Sequence, residues 1–296
     1  MSRLAGRVAI VTGAGRGLGR CHALFLASQG AAVVVNDLGG DVTGEGADAT
    51  PAREVANEIA QAGGRAVVSG HDIADWSQAG EVVDLAVETF GALHVLVNNA
   101  GILRDRTLAN LAEGEWDAVL RVHLRGHAAM THHAMAYWRE RSKAGEAVRA
   151  SLVHTTSVAG FTGNFGQAAY AAAKIGIAGL SQVAALEGAR YGVRSNAVSP
   201  SARTRLEDSI APSAEAFDAF DPANVSPLVG WLAEADCPAT AQVFQVYGDR
   251  LVVIAMPTPV HRLTNTGRWT PESIERALEG RLLTPPAIAD FVEGIT

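Results

Sequence analysis

Cysteine is scarce in this chain: two residues, Cys21 and Cys237, in 296. They are too few and too far apart for a disulfide framework or a cysteine-rich zinc site. Free cysteine behaves as a small hydrophobe, which fits a reducing compartment, so a cytoplasmic location is expected and a metal site is not. Positive charge is also in short supply, with 24 Lys and Arg against 31 Asp and Glu and a net charge of −7. That balance excludes the basic domain of a nucleic-acid binder. No run approaches 18 uninterrupted apolar residues, so no spanning segment is read and no membrane partner is expected. The opening residues Met1 to Arg7 lead straight into an apolar strand, without a basic-then-apolar leader. Internal repeats and low-complexity linkers are missing too. What is present is a 48% hydrophobic, 19% charged composition, ample for a large core. The length suits one large α/β domain with an extension.

Two periods alternate along the chain. Short apolar runs at 8–11, 32–36, 65–69, 95–98, 151–156, 193–198 and 243–246 read as strands. Between them, 18–29, 50–62, 76–90, 115–141 and 168–190 have helical spacing, several of them stopping at glycine. Strands alternating with helices through tight connections predict a single Rossmann-type, doubly wound parallel sheet of about seven strands, with right-handed crossovers. Residues 1–247 form this domain. Residues 248–296 form a C-terminal extension, with a strand-like run at 251–254 and a helix at 271–278, read as a subunit contact or a cover over the substrate mouth. Loop composition marks 41–50 and 201–222, and the second lies beyond a strand's carboxyl end, where ligands of such sheets sit.

Thr12 to Gly19 joins the first strand to the first helix. Its Gly13, Gly15, Gly17 and Gly19 let backbone amides at a helix start approach a pyrophosphate, with Arg16 and Leu18 in the same turn. The spacing is G-x-x-x-G-x-G, and an ordinary tight turn is the plain alternative. Asp37 ends the second strand, 18 residues after Gly19. A carboxylate there accepts from both adenosine ribose hydroxyls and repels a 2′-phosphate, which favours NAD over NADP; Arg16 argues the other way. Asp72, followed by Ile73, is either a contact to the adenine edge or a helix N-cap.

Tyr170 and Lys174 are spaced i,i+4 on one helix face. A free phenol titrates near 10, and an ammonium one turn away favours the phenolate. Ser157 lies 13 residues before Tyr170 at the end of a strand, placed to hold a substrate oxygen while tyrosine moves the proton. On the Thr12–Gly19 loop, the Asn98-Asn99-Ala100-Gly101 string and the Ser157, Tyr170, Lys174 set, the chain resembles the short-chain dehydrogenase/reductase family from about Gly6 to Val246. The resemblance implies that Asn99, Ala100 and Gly101 line the cofactor, that Lys174 reaches the nicotinamide ribose, and that Pro200 sits near the nicotinamide. It also implies pairing of long helices into a homodimer or homotetramer. Where the family usually has a fourth catalytic Asn, this chain has His123 in Val122-His123-Leu124-Arg125-Gly126. A neutral imidazole has one donor and one acceptor, so His123 is either a substitute in a proton relay or a structural filler.

Longer strings at 34–40, 98–106, 121–126 and 163–167 are similar to the family's (3R)-hydroxyacyl-CoA dehydrogenase branch. The implied reaction is NAD-dependent oxidation of a 3-hydroxyacyl-CoA to its 3-keto form. Two alternatives stand beside it: a dehydrogenase of a free steroid or other secondary alcohol, and a non-catalytic dinucleotide-binding regulator on the same fold. Arg104, Arg106, Arg203 and Arg205 are candidates for contacts to CoA phosphates, with solvated surface arginines as the plain reading. His127, His132, His133 and His154 read as core or surface histidines, and the five tryptophans as packing residues.

Overall fold

The computed structural model describes residues 2–41, 43–203 and 217–291. Among them the strands are β1 (Val8–Thr12), β2 (Ala32–Asn36), β3 (Arg65–Ser69), β4 (Val95–Asn98), β5 (Ala150–Thr155), β6 (Val193–Ser201), β7 (Val243–Tyr247) and β8 (Arg250–Ile254). The helices are α1 (Gly17–Ser28), α2 (Thr50–Gln61), α3 (Trp76–Phe90), α4 (Glu113–Leu120), α5 (Gly126–Lys143), α6 (Ala159–Thr162), α7 (Ala168–Gly188), α8 (Ser226–Leu232) and α9 (Pro271–Leu278).

The sheet order is β3-β2-β1-β4-β5-β6-β7-β8, parallel except for the β7–β8 pair. The eighth strand comes from the extension: a tight turn at Gly248, with φ of 54°, folds it back antiparallel on β7. Central strands are buried on both faces, which is why they read as continuous apolar runs. Ala9, Val11, Val33 and Val35 face one core with α1, α2 and α8; Val8, Ile10, Ala32 and Val34 face the other with α3 and α5. In the second core the buried indole N–H of Trp138 donates to the Leu93 carbonyl at 2.8 Å. Trp76 and Trp269 are exposed at the surface, Trp76 resting against the His132 ring with centroids 5.1 Å apart.

The predicted helix at 115–141 is interrupted. Arg121–Arg125 forms a π-helical turn, with the Gly126 N–H bonded back to the Arg121 carbonyl. Together with the 3₁₀ turn after it, α7 is long and apolar enough to cross a membrane by length and hydropathy, but 44% of its most apolar window is buried inside the fold. The chain order reverses direction between β1 and β4, and the strand ends there open a crevice.

Candidate active site

A cavity of about 360 Å³ lies over the carboxyl ends of the central strands. Its floor at one end is the Thr12–Gly19 turn. Gly13, Arg16, Gly17 and Leu18 line it. Gly17 has a φ of 51°, and a Cβ at Gly13 would lie 2.8 Å from Ala100 Cα. Gly19 is different: it does not line the cavity. A Cβ there would come within 2.0 Å of the Gly13 carbonyl oxygen, so it serves the packing of the turn on its helix rather than touching a ligand. Asn99 fixes the same turn from β4. Its amide donates to the Thr12 carbonyl at 3.0 Å, while its backbone N–H and that of Ala100 donate to Thr12 Oγ1 at 2.9 and 3.1 Å.

At the adenosine end of such a cleft, Asp37 accepts from the backbone N–H groups of Gly15 and Gly39, both at 2.7 Å. Its carboxylate is thus held at the strand end, on the cavity wall. Asp72 and Ile73 line the neighbouring wall. The N-cap of α3 is Asp75, whose carboxylate accepts from Ser77 and Gln78, so the capping alternative for Asp72 falls away. Asp72 instead accepts from the Ala74 N–H at 2.9 Å and from Arg121 at 2.5 Å. Arg121, unread as a site residue in the sequence, thereby joins the cavity wall.

The reacting end gathers Ser157, Tyr170, Lys174, His123, Gly101 and Pro200 around the same cavity. Lys174 is buried, and its ammonium donates to the Thr155 carbonyl at 2.8 Å. Its Nζ lies 5.3 Å from the centre of the Tyr170 ring. Burial pushes its pKa down to about 7, so its positive charge depends on pH near neutrality rather than being permanent. The His123 ring meets that of Tyr170 edge-on, with centroids 5.3 Å apart. Its Nε2 lies 2.8 Å from the Ile102 carbonyl oxygen and 3.1 Å from the Ile102 N–H. A side chain at Gly101 would strike this ring at 2.4 Å, so a glycine is required there. Burial, and then the charge of Lys174, hold His123 down at a pKa of about 3; it is neutral at physiological pH. The π turn aims it: one extra residue in the helix brings His123 to the cavity wall.

The residues present fit a nicotinamide dinucleotide. A glycine cradle that any Cβ would fill, amides at a helix start, and a carboxylate at the end of β2 form one continuous wall with the Tyr170 and Lys174 pair. Outside this wall the candidate CoA arginines face acids. Arg104 meets Glu45 at 2.7 Å, Arg106 meets Glu115 at 3.1 Å and Arg203 meets Asp218 at 2.7 Å; Arg205 lies outside the described residues. The extension returns to the site as well. Ile288 lines the cavity, and Phe291 stacks on Phe161 of α6, with ring centroids 6.3 Å apart. His133 Nε2 sits 2.8 Å from the Trp76 carbonyl, away from this cavity.

Residues 7–212 match the family model described as short chain dehydrogenase. The chain is 44% identical over 288 residues to a hydroxyacyl-CoA dehydrogenase, ChsB1, of Mycobacterium tuberculosis, covering 93% of this chain and 88% of that one. It is 41% identical over 245 residues to the peroxisomal multifunctional enzyme type 2 of Mus musculus, covering 82% of this chain and 32% of that longer protein. Among solved structures, a short chain dehydrogenase from Mycobacterium avium superposes with a TM-score of 0.86 at 48% identity, over 96% of this chain and 98% of that one.

Proposed function

The chain belongs to the short-chain dehydrogenase family and is an oxidoreductase; from that premise we propose that it uses NAD to interconvert a 3-hydroxyacyl-CoA and its 3-keto form. The observation that carries the reading is the meeting of Ser157, Tyr170 and Lys174 on one cavity wall, with Asp37 at the other end of the same cavity. Gly13, Asp37, Asn99 and Lys174 on the cavity wall would hold the dinucleotide, which would supply a hydride acceptor for the carbinol carbon. The Ser157 hydroxyl orients the substrate oxygen. Tyr170 removes the hydroxyl proton, and the Lys174 ammonium favours its phenolate. What supports NAD is the Asp37 carboxylate, pinned by two backbone amides where a 2′-phosphate would have to fit. What supports the acyl-CoA is the name borne by the Mycobacterium tuberculosis relative.

A second reading, oxidation of a free steroid or other secondary alcohol, is favoured by one observation. Arg104, Arg106 and Arg203 each already face a carboxylate, where CoA phosphates would want open cations. A single panel separates the readings: kcat/KM for a 3-hydroxyacyl-CoA and for the same acid without CoA, each with NAD and with NADP. We expect the CoA ester and NAD to be preferred by at least tenfold. Equal values with and without CoA sink the thioester reading, faster turnover with NADP sinks the Asp37 argument, and dinucleotide binding without oxidation of any alcohol favours a non-catalytic regulator.

The extension in this proposal covers the substrate mouth through Ile288 and Phe291. Assembly into a homodimer or homotetramer belongs to it too, supported by the apolar Val183 and Leu186 left exposed on α7. Light scattering is expected to give at least twice the chain mass; a monomer would refute the assembly.

A further inference from the structure

Behind the catalytic wall lies a group of polar side chains that the proposed reaction does not use. His127 on α5, His154 on β5 and Asn98 on β4 are fully buried, and His123 nearly so. They are contiguous. The His127 and His154 rings have centroids 5.8 Å apart. His154 Nδ1 lies 3.4 Å from the Asn98 amide nitrogen, which in turn donates to Thr131 Oγ1 at 3.2 Å. His123 precedes His127 by four residues through the π turn. On the far side, the Lys174 charge acts on both His123 and His127.

Five atoms of this group have no hydrogen-bond partner among the described residues: both ring nitrogens of His127, His154 Nε2, His123 Nδ1 and Asn98 Oδ1. The Ala100 backbone pulls weakly on His127 without forming a bond of acceptable geometry. Buried polar atoms in native proteins are almost always paired, with protein or with enclosed water. A neutral imidazole must also place one N–H somewhere. Five such atoms on four neighbouring elements, the π turn, α5, β4 and β5, mark one polar group rather than five separate accidents, and they offer the several polar partners that an ordered water needs. On the two helices that carry His127 and Lys174, Ala129, Met130, Ala173 and Ile177 are fully buried as well.

We propose that His123, His127, His154 and Asn98 wall a hydrated compartment behind Lys174, and that His127 and His154 are positioning residues that let this buried lysine carry its charge. The ammonium has three donors, and the Thr155 carbonyl takes one. Enclosed water held by neutral imidazoles solvates another without adding a competing positive charge. The histidines stay neutral, since burial lowers the pKa of His154 to about 4 and that of His127 well below the ordinary value. The titratable groups set against Lys174 are Tyr170 on its own helix, His123 in the π turn and His127 on α5, with His154 on β5 beyond the His127 ring.

The test needs no turnover, so it stands or fails independently of the proposed reaction. The sequence has only two lysines, Lys143 and Lys174, and Lys143 is exposed. Protein labelled with ¹³Cε-lysine gives two signals, and the one that titrates at the lower pH is Lys174. In His127→Leu/His154→Met, which keeps bulk but removes four ring nitrogens, the Lys174 midpoint is expected to fall by at least one pH unit below that of the wild type. His127→Gln, which retains a donor and an acceptor, should hold within about 0.3 unit. A folded double variant whose midpoint does not move overturns the proposal. If the double variant fails to fold, the wild type decides by itself. Nuclear Overhauser contacts from long-lived internal water to the Lys174 or His127 side chain are expected, and their absence overturns it equally.

Discussion

Replacing Tyr170 with phenylalanine is expected to lower kcat by about a thousandfold while dinucleotide binding changes by less than about threefold. The substitution removes one oxygen and keeps the ring, so the edge-on contact with His123 survives. What disappears is the group that exchanges a proton with the substrate oxygen. Ser157 and Lys174 cannot replace it. The lysine's ammonium lies 5.3 Å from the centre of the Tyr170 ring and donates to the Thr155 carbonyl, and a serine hydroxyl without its own base is a poor proton acceptor. Cofactor affinity, read by fluorescence titration, separates loss of chemistry from loss of the site. Residual turnover within tenfold of wild type would remove Tyr170 from the proton path. His123 belongs to the same measurement. As a relay partner it should shift the rate–pH profile when changed to Ala, and His123→Asn should restore much of it. If both leave the profile unchanged, His123 is a filler of the wall and no more.

Acid should unfold this protein unusually early. His22, His123, His127 and His154 are all buried, and burial is the first cause of each depressed pKa: to about 4, about 3, well below normal, and about 4. The sign follows from proton counting. Between pH 6.5 and about 4 the unfolded chain binds protons that the native state refuses, so stability rises with pH there and is lost as pH falls. Each histidine costs about 1.4 kcal/mol per pH unit inside that window, or about 2 kcal/mol by pH 5. Four together are comparable to the roughly 5–15 kcal/mol that holds a typical domain. Lys174 adds the same sign at higher pH: with its pKa lowered from 10.5 to about 7, its contribution is lost as pH falls through that interval. Tm measured from pH 8.5 to 5, at fixed ionic strength and without cofactor, should drop by about 10 °C or more below pH 6.5. A flat profile over that span contradicts the burial of these rings as neutral groups.

The features that could be read from the sequence share a cause: each is periodic or local. Val8 to Val11 and Ala32 to Asn36 announce two-faced burial by their unbroken apolar character. Gly13 and Gly17 announce a turn that needs positive φ. Tyr170 and Lys174 meet because a helix brings i and i+4 together. What stayed hidden is non-periodic or distant. The π turn at Arg121–Arg125 inserts a residue without leaving a compositional mark, so the helix looked continuous. The pairing of Arg121 with Asp72 spans 49 positions and no spacing rule anticipates it. α8 is only seven residues long, too short for its period to stand out. Asp72 and Asp75 are both plausible caps by type, and only the hydrogen bonds to Ser77 and Gln78 choose between them. Arg104, Arg106 and Arg203 read as open cations because their acidic partners lie 59, 9 and 15 positions away. The buried histidines were read singly, whereas their meaning comes from being neighbours across three elements.

The π turn also sets a phase. Each residue of an α-helix advances the azimuth by about 100°, so one inserted residue turns everything beyond it by that amount. Every inward position of α5, from His127 through Met130 and Ala134 to Trp138, faces inward because of that single offset. Deleting any one residue of Arg121–Arg125 would wind a straighter, more regular helix and rotate all of those side chains off the sheet together. A local gain in helical regularity would thus be a global loss of registry, which makes this short stretch the place where the chain tolerates a change of length least.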